Sequence, residues 1–151
     1  MHVIVTTDGS KQSLAAARKL KSFADPGKIS DVSVVAVIRP FAAVAFADDV
    51  SEADQRTAVA QESGFRQAAQ AALATVAAEF DGWGPQVHTR LRSGSPAKEI
   101  IKAAKQLDAG LVVIASGGRG LSDTVLLGST AQRVQQYAPC PVLVVRPARK
   151  R

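Results

Sequence analysis

The sequence predicts a single-domain α/β fold: an open, mainly parallel five-stranded sheet with helices on both faces. Three observations predict it. Five short β-rich runs alternate with four stretches of helical periodicity, and that alternation demands right-handed crossovers between parallel strands. One run, Val32 to Ile38, is almost wholly apolar, as a strand covered on both faces must be. No internal repeat or linker divides the 151 residues, a length that fits one domain with a substantial core.

Taken in order, Val3 to Thr6 forms the first strand, and Thr7-Asp8-Gly9-Ser10 is a turn with helix-capping chemistry. Leu14, Ala17, Leu20 and Ala24 recur at helical spacing until Pro26-Gly27 stops the helix. The Val32 to Ile38 strand ends at Arg39-Pro40. Residues 41 to 50 are small and apolar without a period, which fits either a loop lying over a site or a partly packed connection. Ser51 opens a long Ala-rich helix reaching Phe80, with Phe65, Ala69, Ala72, Val76 and Phe80 as its apolar face. Asp81-Gly82-Trp83-Gly84-Pro85 closes it.

Val87 to Leu91 alternates with polar residues, which suits a sheet edge. Ser95 caps the next helix, with Pro96 at its first position and Ile100, Ala104 and Leu107 turned inward. Leu111 to Ala115 reads as a buried strand. Ser116 to Gly120 is a small-residue loop, and Asp123 caps a helix running through Ala131, Val134 and Tyr137. Pro139-Cys140-Pro141 breaks that helix before a closing strand, Val142 to Val145.

Glycines after a strand let a backbone approach a ligand closely, and free N–H groups leading into a helix suit an anion. The stretch from Ser116 to Thr130 reads equally as a phosphate loop or as a flexible connection. In a parallel α/β sheet, ligands lie beyond the carboxyl ends of the strands where the strand order reverses. If the first and fourth strands are neighbours, Asp8 and the Gly118 loop line one crevice, which favours phosphate. Neither GxxxxGK[ST] nor GxGxxG is present.

Bulk properties narrow the classes further. No apolar run reaches the roughly 20 residues of a membrane helix, and Met1 to Val5 lacks a basic region and cleavage site, so a cytoplasmic location is expected. One cysteine excludes an internal disulfide, and His2 and His88 offer no metal cluster. The net charge is +6, but Arg146, Arg149, Lys150 and Arg151 supply four of those charges from a short basic tail, 146–151. With so few aromatic residues besides, the tail reads as a solvated end rather than a nucleic-acid surface. No nucleophile is paired with a general base.

The chain resembles the universal stress protein family over nearly its full length. Val3-Ile4-Val5-Thr6-Thr7-Asp8-Gly9-Ser10 is similar to the family's first strand and Asp-Gly-Ser turn, Gly94-Ser95-Pro96-Ala97 to its G-x-P-A helix start, and Ala138 to Val145 to its closing strand. Its nucleotide signature, G-x2-G-x9-G-[ST], is matched by Gly118, nine residues, then Gly128-Ser129, with Ala115 where the first glycine belongs.

The resemblance implies a strand order of 3-2-1-4-5 and ATP in the crevice, with AMP and ADP as alternatives. It places Thr6, Thr7 and Asp8 beside the adenosine and Val37 against the adenine. It brings Gly118 and Gly128 to the phosphates, aided by Ser129 and Thr130, and gives Arg119 a phosphate to neutralise. Asp8 could also hold Mg2+, although a turn-capping carboxylate is the simpler reading. A homodimer through Val142 to Val145 is implied as well. The expected function is a nucleotide-binding regulatory stress-response protein with at most slow ATP hydrolysis and an unidentified protein partner. A nucleotide-independent dimeric interaction protein is the alternative.

Overall fold

The computed structural model describes residues 1–40, 52–117 and 127–148. Strands β1 (His2–Thr6), β2 (Asp31–Ile38), β3 (Gln86–Ser93), β4 (Leu111–Ala115) and β5 (Val142–Val145) form one sheet in the order β3-β2-β1-β4-β5. All four pairings are parallel, with Val3 opposite Val32 and Leu111, and Val113 opposite Leu143. This is the 3-2-1-4-5 arrangement the resemblance implies. Helices α1 (Lys11–Phe23), α2 (Glu52–Ala78), α3 (Pro96–Gln106) and α4 (Ser129–Tyr137) supply the two covering layers.

Strand alternation sorts the core into those layers. Val3, Val5, Val32, Val34 and Val113 face Ala16, Ala17 and Leu20 of α1 and Leu73 and Val76 of α2. Ile4, Val35, Val112 and Ile114 face Ala97, Ile100 and Ala103 of α3 and Ala131 and Val134 of α4. Each inner strand therefore buries both faces, which is why β2 reads as a continuous apolar run. By contrast no residue of β3 is fully buried, and Gln86, Thr89 and Ser93 are exposed, as suits an edge strand. Two edges result, β3 and β5, and all four residues of β5 are only half-buried.

Several elements differ from the sequence expectation. Phe65 is 57% exposed, and α2 meets the sheet through Leu73 and Val76 near its C-terminal end. Its apolar stripe is thus shorter than its periodicity predicts. Phe80 is buried, but in the turn beyond the helix, where it packs on Trp83. Ser95 is the N-cap of α3 without a side-chain hydrogen bond. Helix α4 starts at Ser129 with Gly128 as N-cap, so no helix runs on from Asp123 through residues 127 and 128. The expectations for residues 41–50, Ser51, Gly118, Arg119, Asp123 and the end of the tail at 149–151 lie outside the described residues.

Candidate functional site

The turn after β1 is built by hydrogen bonds its own sequence supplies. Thr7 N–H donates to Val35 O at 2.9 Å, holding the chain against β2 for one residue past the strand. Gly9 then turns it at φ +81°, a conformation that favours glycine. Asp8 Oδ1 accepts the Ser10 N–H at 2.9 Å, and Ser10 Oγ accepts the Ser13 N–H at 3.2 Å as N-cap of α1. Such a cap is worth about 0.5–2 kcal/mol. Beneath the turn the Thr7 and Ser13 hydroxyls lie 2.8 Å apart, both buried, while Asp8 stays exposed.

The opposite wall comes from β4 and α4. Ser116 N–H donates to Val145 O at 2.9 Å, and Ser116 O accepts the Gly128 N–H at 2.7 Å. The Gly128 N–H is therefore engaged within the protein rather than open to a ligand, unlike the sequence expectation. The open donors are one residue further on. The first bond of α4 runs from Gln132 N–H to Gly128 O, and no side chain caps the helix. The N–H groups of Ser129, Thr130 and Ala131 precede that bond and carry the positive end of the helix dipole.

Between these walls, at the carboxyl ends of β1 and β4, lies a cavity of about 370 Å³. Strand order reverses here, the position where parallel sheets take ligands. Thr6, Thr7, Asp8, Val37, Ala115, Gly128, Ser129 and Thr130 all line it, so eight of the ten sequence-derived residues meet around one space. The other two, Gly118 and Arg119, lie outside the described residues. The structure adds residues the sequence reading missed. Val35 shares a strand face with Val37, two residues on, and Pro96 and Ile100 stand one helical turn apart on α3. Both spacings were visible in the sequence. Ser13, Ile114, Ser116, Gly117 and Ala131 complete the lining among the described residues.

Ala115 ends β4 without distortion. Among described non-glycine residues only Asp108 has positive φ, so Ala115 does not need a glycine's freedom. It packs against the α1–α2 side of the core, as Leu143 and Val145 do.

The cavity can hold and orient a ligand, but its described lining contains no histidine, cysteine or lysine. Asp8 is the one carboxylate on it. Cys140 is not on the lining, and burial raises its thiol pKa. Among the described residues no set of three His, Cys, Asp or Glu side chains is placed to hold a metal ion, and no helix is long and apolar enough to cross a membrane.

Comparison with known proteins places this arrangement. The model of the universal stress protein family matches residues 1–146. This chain belongs to the universal stress protein family. A universal stress protein of Methanocaldococcus jannaschii is 33% identical over 152 residues, covering 98% of this chain and 83% of that protein. The solved universal stress protein UspA of Lactobacillus plantarum superposes with a TM-score of 0.79 at 22% identity, covering 97% of each chain. Two further universal stress protein structures carry ligands. One, in complex with cAMP, has a TM-score of 0.69 at 24% identity over 98% of each chain. The other, from Arabidopsis thaliana with AMP bound, has a TM-score of 0.66 at 16% identity over 98% of this chain and 92% of that one. These structural likenesses bear on the fold of the universal stress protein domain.

Proposed function

We propose that this universal stress protein is a regulatory stress-response protein whose output follows occupancy of its crevice by an adenine nucleotide, ATP above all, with AMP and ADP as competitors. One observation carries the reading: the cavity's two walls have opposite hydrogen-bonding character. The β1 turn offers the Asp8 carboxylate and hydroxyl oxygens, whereas the start of α4 offers uncapped N–H groups. A nucleotide is polarised the same way, with sugar and base donors at one end and phosphate oxygens at the other. Val35, Val37 and Ile100 supply an apolar flank for the base, and the cAMP and AMP complexes of family members support the choice of adenine. Magnesium would enter with the phosphates, because Asp8 is too few carboxylates for a protein cage.

Mass spectrometry of ligand released from the purified protein, followed by calorimetric titration with ATP, ADP and AMP, tests the reading. Saturable binding is expected, and silence at millimolar concentration of all three would overturn it. Hydrolysis should be slow or absent, since the described lining offers no general base besides Asp8. Single-turnover rates near the enzyme median of about 10 per second would contradict that.

The same reading includes a homodimer through β5, supported by the direction of that strand's free groups. Pro141 O and Val145 O accept bonds from β4, and residues alternate along a strand, so Val142 and Val144 turn their N–H and C=O outward. A half-buried valine edge with open donors invites a two-fold mate. Val144→Pro deletes an outward donor and spares the β4 ladder. Light scattering should then report a monomer from a folded chain. An unchanged dimer mass would place the interface elsewhere.

A further inference from the structure

The hydroxyl groups under the β1 turn have a proton order fixed by the two ends of their chain. Gly9 N–H can only donate, so Thr7 Oγ1 accepts it, at 3.1 Å. Ser10 O can only accept, so the Ser13 hydroxyl donates to it, at 2.8 Å. Ser13 has no second proton, and the 2.8 Å contact between the hydroxyls therefore runs from Thr7 to Ser13. Thr7 is 6% exposed and Ser13 3%, which leaves water little part in this arrangement.

Asp8 sits between Thr7 and Gly9, and its Oδ1 takes the Ser10 N–H. The chain of hydroxyls thus braces the turn on both sides of the carboxylate. The side-chain capacity that remains unspent on this wall is acceptor capacity: the second oxygen of Asp8 and lone pairs on Thr7 and Ser13. A phosphate, rich in acceptors, gains nothing here. A sugar with free hydroxyls does.

We propose that Ser13 is a positioning residue: by taking the Thr7 proton and passing its own to Ser10 O, it holds the Asp8 turn so that this wall reads the ribose hydroxyls of the ligand. This rests on the nucleotide reading and goes beyond it in naming the residue, outside the signature glycines, that holds the turn in place for that selection.

The test compares AMP with 2′,3′-dideoxyadenosine monophosphate, which carries the same base and phosphate but no ribose hydroxyl. The parent should prefer AMP about tenfold, the factor expected of one or two ordinary hydrogen bonds. In Ser13→Ala the preference should fall toward unity, Ser13→Thr should restore much of it, and Ser129→Ala should weaken both ligands by a common factor. A purely structural role for Ser13 predicts a lower melting temperature and equal weakening of both ligands, leaving the ratio intact. Thr7→Val cuts the same chain from its other end and reads the ratio if Ser13→Ala does not fold. Equal affinity of the parent for the two ligands, or an unchanged ratio in a folded variant, overturns the inference while the nucleotide reading stands. Failure of the parent to bind either ligand sinks both.

Discussion

Strands β1, β2 and β3 carry polar groups at both ends, and the two ends spend them differently. At the amino end, His2 Nε2 lies 2.7 Å from Ser33 Oγ, Arg90 Nε donates to the same oxygen at 3.1 Å, and His88 Nε2 lies 2.9 Å from Asp31 Oδ1. Ser33 is wholly buried, with its hydroxyl shared between two strands. These bonds stitch β1, β2 and β3 together on the α3 side of the sheet. At the carboxyl end, the Asp8 turn and the α4 terminus satisfy themselves only in part and leave groups facing a cavity. A polar cluster closed upon itself is structural, whereas one with aligned, unspent capacity is poised for a ligand. The histidines therefore lie at the opposite end of the sheet from this cavity.

The largest expected effect breaks the carboxyl end alone. Gly128 has φ −61° and ψ 153°, which valine also adopts, so Gly128→Val should fold with its N–H still on Ser116 O. The substitution adds a branched side chain at a residue that lines the cavity. Titration should show nucleotide affinity reduced by about a hundredfold or more, the scale of overpacking a filled site at about 1–3 kcal/mol together with lost donors. Retained affinity would mean that the ligand does not approach α4.

The amino end should give the reverse result. Ser33→Ala removes the shared oxygen and leaves His2 and Arg90 without their partner, at a cost of about 1–3 kcal/mol in unfolding free energy. Denaturant melts should register that loss while nucleotide affinity stays near the parent's. A large fall in affinity in a folded Ser33→Ala chain would erase the distinction between the two ends.

How much of this was legible in the sequence depends on the range of the forces involved. Strand and helix identities followed from local periodicity, and the cavity residues followed from the family resemblance that Asp8-Gly9-Ser10 and Gly128-Ser129 carry. Phe65 misled because periodicity reports a face that could be buried, not whether a neighbour reaches it. The expected continuity of the last helix through residues 127 and 128 misled for a related reason: periodicity marks a permitted helix, while α4 began where Gly128 O could first bond to Gln132. Ser13 was invisible as a site residue because its role depends on a buried hydrogen-bond order. The fate of the Gly128 N–H required knowing that Ser116 O comes within 2.7 Å of it.

A smaller effect sharpens the amino-end reading through pH. Burial lowers the His2 pKa from its ordinary 6.5; Arg90, His88 and the amino terminus add to this, and Asp31 opposes it. A histidine with a depressed folded pKa contributes stability that is complete above pH 6.5 and is lost as pH falls through the folded value. Asp31 is held below its ordinary 3.8 first by the His88 hydrogen bond and then by Ser30, so its contribution is present above that value and is lost in stronger acid. The melting temperature should fall by roughly a few degrees between pH 7 and 5. Replacing His2 by Gln should flatten that part of the profile and leave the acid limb below pH 4. An identical slope in the variant would assign the midrange proton uptake to another group.

The smallest effect concerns Ala115, the position at which this chain departs from the family's glycine pattern. A glycine is indispensable where φ is positive or where a methyl group would meet another atom. Ala115 has neither problem: its φ is ordinary for the last residue of β4, and it packs with Val145 on the α1 side of the core. Ala115→Gly therefore removes a packed methyl and adds freedom to the unfolded chain, which should cost about 0.5–1 kcal/mol of stability. Nucleotide affinity should stay within about twofold of the parent, because the donors of α4 and the braced Asp8 turn are untouched. Titration beside the parent decides the matter. A large gain in affinity for the glycine variant would show that the alanine had been obstructing the crevice, and the wall at the end of β4 would then take part in binding through its backbone.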